Sequence, residues 1–172
     1  MRKISLIQGK SGIKNFFFIT AILLTALVPY GCSKSKKEAP TGQEAQQAMQ
    51  PGREHFNKGI QFALKGQHDD AIKEFEETLK YNPNSAETYN NLGFEYMDKG
   101  DLDKAIDNQN KALQINPNLA NAYYGLAMAL EKKGDKEGAL KNWKEFLKFA
   151  QPHTRWWMNA QNHIKDLEKK KN

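Results

Sequence analysis

The chain has one cysteine, Cys32, among its 172 residues. That excludes an internal disulfide, a Cys-x-x-Cys redox or zinc pair, and covalent haem attachment. Histidine is scarce as well. His55, His68, His153 and His163 never fall three or four residues apart, and no His-Glu-x-x-His motif occurs, so no helix offers two imidazoles to a metal. There is no phosphate-binding glycine loop and no nucleophile elbow. The acidic pairs Asp69-Asp70 and Glu76-Glu77 are adjacent in helical segments, so their carboxylates diverge instead of forming an acid–base couple. Neither catalysis, nor a metal, nor a cofactor is expected. Acid is missing altogether from the first 31 residues, which hold Arg2, Lys3, Lys10 and Lys14. Without that segment the chain has 22 basic against 20 acidic side chains, so the formal charge of +6 belongs mostly to the N-terminus. Elsewhere lysine alternates with acid, as in HDDAIKEFEETLK, which reads as a solvated face and not as a basic stripe for nucleic acid.

The N-terminal apolar run is short. Phe16–Pro29 is fourteen residues without a charge. As a helix it would span about 21 Å, less than a hydrocarbon core of about 30 Å. A basic flank, a short apolar core and a small residue before a break together read as an export signal. With Gly31-Cys32 the segment resembles a bacterial lipoprotein signal, although Pro29 and Tyr30 depart from the aliphatic and small residues usual there. The resemblance implies that residues 1–31 are removed, that Cys32 carries the lipid, and that two or three acyl chains tether the chain to a membrane of the bacterial cell envelope. Ser33 stands where an aspartate would favour inner-membrane retention, so the outer membrane is the expectation in a two-membrane cell. An uncleaved signal anchor is the alternative. Residues 32–50 are then a lipid-anchored linker, polar and broken by Pro40 and Gly42, with Gln43–Gln50 as a short helix before Pro51. The linker's reach is about 23 Å root-mean-square.

The rest of the chain is periodic. Ala71, Ala105 and Ala139 lie 34 residues apart, as do Gly66, Gly100 and Gly134, and Pro83 and Pro117 keep the same step. In blocks of 34 from Gly52, position 8 holds Gly59, Gly93 and Ala127, and position 24 holds Phe75, Gln109 and Trp143. Small residues let two backbones approach and bulky ones fill the space beside them, so each block predicts two antiparallel helices. Lys-Gly turns between them predict a left-handed glycine that ends the first helix. The stretches NNLGFEYMDKGDLDKAIDNQNKALQINPN and GIQFALKGQHDDAIKEFEETLKYNPNS resemble tetratricopeptide repeats. That resemblance implies an all-α, right-handed α-solenoid with three repeats over residues 51–153. Residues 154–172 follow as a C-terminal capping helix, with Trp157, Ala160, Ile164 and Leu167 as its apolar stripe. Gln109 replaces the usual aromatic, which predicts looser packing of the second block on the third. Trp156 lies off the stripe, either against Trp143 or exposed to a partner.

An array of this kind binds more often than it catalyses. By the resemblance, the first helix of each block lines a concave groove. Its expected lining is Phe56, Asn57 and Ile60 in the first block, Asn90, Asn91, Phe94 and Met97 in the second, and Tyr124 and Met128 in the third. Asn57 and Asn91 would grip peptide backbone, a row that Gly125 breaks, while the apolar residues hold side chains. A variant of the family clamps a C-terminal carboxylate with lysine, asparagine and arginine at fixed positions. Here Phe56, Ile60, Asn121 and Gly125 occupy clamp positions and only Asn91 agrees, so that mode is not expected. The expected function is a membrane-tethered adaptor that holds an extended or helical segment of another envelope protein, as in assembly of a secretion or pilus complex. Two alternatives stand beside it. One is an oligomerisation scaffold that uses the convex face or the C-terminal helix. The other is a groove filled by the chain's own segments.

Overall fold

The fold was examined in a computed structural model that describes the backbone of residues 42–169 and side chains from Gln50 onward. Among the described residues there are seven helices and no strand. They are α1 (Gly42–Leu64), α2 (His68–Tyr81), α3 (Ala86–Asp98), α4 (Leu102–Ile115), α5 (Ala120–Lys133), α6 (Lys136–Phe149) and α7 (Arg155–Lys169). Pairs α1–α2, α3–α4 and α5–α6 form hairpins, consecutive hairpins pack through α2–α3 and α4–α5, and α7 lies against α6. Helices α3 and α5 also touch directly.

The local signals account for the helix ends. Gly66, Gly100 and Gly134 have φ of 68°, 84° and 89°, the left-handed conformation that a Cβ disfavours. Each turn closes with the same pair of backbone bonds. At the first, Gly66 N–H donates to Ala63 O and Gln67 N–H to Phe62 O; at the second, Gly100 donates to Met97 O and Asp101 to Tyr96 O. Ser85, Asp101 and Asp135 cap α3, α4 and α6 through their side-chain oxygens. At the N-terminal side the structure differs from the expected short helix ending before Pro51: α1 is continuous from Gly42 with Pro51 inside it. Just after the proline, Gly52 is buried against Tyr81 of α2. Pro51 is an interior residue of this helix, so the bond that an N–H there would make to the fourth residue before it is not formed.

Packing follows the 34-residue step. Ala71, Ala105 and Ala139 are completely buried, as are Phe75 and Trp143 at position 24. The core is divided into a cluster in the first block, one around Met97, Ala105 and Ala129, and one that joins the third block to α7 through Trp143, Phe146, Ala160 and Leu167. Gln109 sits where the expectation of looser packing has to be corrected. It is 1% exposed, and its Nε2 donates to Asn90 O at 3.1 Å. It fits because glycines flank it: a methyl on Gly93 would stand 2.5 Å from Nε2 and one on Gly125 2.3 Å. Gly125 thus lets the third block approach closely to the amide that the second block holds. On the surface, Lys99 bonds Asp69 and Lys133 bonds Asp103, so the turn lysine of one block is tied to the second helix of the block before.

Candidate functional site

The main hollow lies at the third block, where α3, α5, the end of α6 and the start of α7 meet. Its volume is about 630 Å³. The centre of its wall is Tyr124 on α5, whose ring meets Trp143, Phe146 and Trp156 edge-on at 5.0, 5.3 and 5.3 Å. Three perpendicular contacts favour one ring orientation, because aromatic quadrupoles attract edge to face. Beside it are Phe94 and Met97 of α3 and Met128 of α5, which also pack on one another in the middle core cluster. Phe149, at the end of α6, stacks on Tyr123 at 5.6 Å and remains 41% exposed. Trp156, at the start of α7, is 58% exposed.

The fourth side exists because of a turn. His153 has φ of 62°, and the Thr154 hydroxyl donates to Gln151 O and accepts from Trp157 N–H. This caps α7 and sends it back along α6. Helix α7 is then held by Ala160 and Leu167 and by His163, whose ring stacks on Trp143 at 4.7 Å. Glu131 joins both: Trp143 Nε1 donates to its carboxylate at 3.1 Å, and His163 Nδ1 lies 3.0 Å from the same oxygen. Trp156 packs on Tyr124, not on Trp143, and also presents much of its ring to solvent.

Four of the expected groove residues come together in this cleft: Phe94, Met97, Tyr124 and Met128. Phe56 lies in a second hollow of about 560 Å³ with Arg53, Tyr81 and Glu87, its ring 5.8 Å from Phe75. Asn57, Ile60, Asn90 and Asn91 line neither hollow. Asn57 and Ile60 are exposed and Asn91 is half-buried. Asn90 is buried, with its Nδ2 turned to Asn91 Oδ1 at 3.5 Å and its Oδ1 unpartnered, as is Gln109 Oε1. Asn57 and Asn91, the two asparagines expected to grip peptide backbone, keep exposed and half-buried side chains, while Asn90 is inside. Sequence reasoning did not place Asp98, Phe146 and Phe149 in the site. Asp98 could have been found, since it occupies a groove position of α3. Phe146 and Phe149 could not, because they enter only through the turn of α7.

Three histidines each meet one glutamate: His55 with Glu74 at 2.6 Å, His68 with Glu95 at 2.8 Å, and His163 with Glu131. Among the described residues no three His, Cys, Asp or Glu side chains gather as a metal site would need. Among the same residues no helix is long and apolar enough to cross a membrane. The expected signal at 1–31 and the lipidation site Cys32 lie outside the described residues.

With this geometry in view, comparison with known proteins is specific about the fold. A TPR repeat model matches residues 59–94 and 95–134, and a tetratricopeptide repeat model matches residues 121–149. No curated protein matches the chain. Among solved structures, the TPR domain of Arabidopsis OM64 is similar with a TM-score of 0.66 at 21% identity, over 71% of this chain and 98% of that one. PcrH in complex with the chaperone binding region of PopD gives a TM-score of 0.66 at 20% identity, over 70% and 92%. The first TPR of Spaghetti (RPAP3), bound to the HSP90 peptide SRMEEVD, gives 0.65 at 20% identity, over 70% and 93%. Likeness at these identities concerns architecture. The sequence models together span residues 59–149, more than half of the chain, and by them it belongs to the tetratricopeptide repeat family.

Proposed function

We propose that the chain is a membrane-tethered adaptor whose third-block cleft holds an extended or helical segment of another protein of the bacterial cell envelope, in the assembly of a secretion or pilus complex. One observation carries this reading. Half-buried Phe94 and Met128 and exposed Trp156, backed by buried Tyr124, form an apolar wall that the chain's own described residues leave open, around about 630 Å³. Apolar concavity with a few polar groups is the usual form of a ligand site. The peptide-bound states of PcrH and RPAP3 support a peptide as occupant. The tether is supported by the apolar run Phe16–Pro29 followed by Gly31-Cys32. The role is binding and not catalysis.

A photo-crosslinking amino acid at Met128, in the full chain in native membranes, tests the cleft. A discrete protein adduct is expected there and none from Lys141, which is exposed on α6 and lies outside the cleft wall. Equal labelling from both positions, or none from Met128, defeats the reading. For the anchor, Cys32→Ala is expected to abolish incorporation of a labelled fatty acid; retained label refutes lipidation at that residue.

A second reading has its own observation. Trp156 and Met158 are 58% and 51% exposed at the start of α7, a placement that suits self-assembly. Light scattering separates the two: an oligomer that dissociates on Trp156→Ala supports a scaffold, and a monomer supports the adaptor.

A further inference from the structure

We infer that the cleft selects its peptide by charge: it takes a bulky apolar side chain with a lysine or arginine beside it and rejects acidic segments. This rests on the reading of the cleft as a peptide site. Among the described residues of the wall, Asp98 is the only charged one. It is exposed and has no ion-pair partner among the described residues, whereas Asp101, three residues on, is held by Lys104 at 3.0 Å. Asp98 is also the last residue of α3. The carbonyl end of a helix carries partial negative charge, so a carboxylate there is poorly placed for stability and deepens a field of the same sign. A cation brought to the cleft would answer both.

Among the described residues, the cations nearest in sequence to the wall do not supply that charge. Lys99 is turned to Asp69, Lys148 is bound to Glu145 at 2.6 Å, and Arg155 lies outside the cleft wall. The open aromatic surface points the same way. Trp156 and Phe149 are half-exposed on the wall, and ring faces attract a guanidinium or ammonium. An arginine or lysine can lay its aliphatic stem along the apolar wall while its head reaches Asp98. A glutamate or a chain-terminal carboxylate in the same place meets like charge with no basic residue on the wall to answer it.

The test uses the full chain in detergent and three blocked, fluorescein-labelled hexapeptides with the same leucines and phenylalanine and with arginine, citrulline or glutamate at one position. Anisotropy titrations at low salt are expected to rank arginine over citrulline by roughly three- to tenfold, with glutamate weakest. Asp98→Asn should erase the preference for arginine over citrulline, since the amide keeps the shape of the wall without its charge. Trp156→Leu should narrow the preference. Equal affinity for all three peptides keeps the peptide reading and overturns the charge inference, as does an arginine preference that survives Asp98→Asn. Binding by none of the three overturns both.

Discussion

Gly125→Ala probes the junction between the second and third blocks. The new methyl would stand 2.3 Å from Gln109 Nε2, 2.7 Å from its Cδ and 3.2 Å from Phe94 Cζ. In open space a glutamine amide would swing away at little cost. Here Gln109 is 1% exposed, Gly93 closes its other side, and Nε2 donates to Asn90 O. Moving it breaks that bond and leaves buried groups unpaired, at about 1–3 kcal/mol. Keeping it forces α3 and α5 apart, at about 1–3 kcal/mol. Alanine's better helix propensity returns about 1 kcal/mol. The net expectation is a loss of about 1 kcal/mol and at most about 2, or roughly 4 °C in Tm for a domain of this size. Urea and thermal unfolding followed by circular dichroism measure it. Gln109→Ala in the same chain gives the decisive arm, because the methyl then enters vacated space. A coupling of at least about 1 kcal/mol is expected between the two substitutions. A neutral Gly125→Ala, or additivity within about 0.5 kcal/mol, would show that the amide is not wedged between the glycines.

Other perturbations test other links. Gly59→Ala puts a methyl 2.6 Å from Cε1 of Phe75, a buried ring without a flexible end, and should cost at least about 2 kcal/mol in urea unfolding. A variant as stable as the parent would mean α1 and α2 are not in such close contact. At the third turn, φ of 89° makes Gly134→Ala cost about 1–2 kcal/mol and Gly134→Asn less; equal Tm values for the two would contradict a left-handed turn. Asp101 caps α4, and the Lys104 side-chain bond, followed by the Lys104 backbone N–H, holds its carboxyl below the ordinary 3.8. A lowered carboxylate adds stability above its unfolded pKa and loses it as pH falls through the folded value. The Asp101 contribution should therefore vanish at pH below 3.8, and Asp101→Asn, which keeps the cap, should make the acid limb of the stability curve shallower. Parallel curves for parent and variant would remove Asp101 from the acid transition.

What the sequence alone determined is everything local or periodic. Ala71, Ala105 and Ala139 mark the close face of each second helix, and Gly66, Gly100 and Gly134 mark the left-handed turns, because backbone conformation and one-face burial are written within a single repeat. The stripe Trp157–Leu167 likewise announced a helix that covers the last repeat. The continuation of α1 through Pro51 was not legible, since proline in a sequence reads as a helix stop. Nor was the burial of Asn90, the wedge at Gln109, the closure of the cleft by Phe149 and Trp156, or the pairing of Asp69 with Lys99. Those depend on which residues of neighbouring helices meet, and that is set by interhelical distance and angle. A glycine at 125 and a glutamine at 109 are each unremarkable in their own repeats; only stacking one repeat on the next makes them a matched pair.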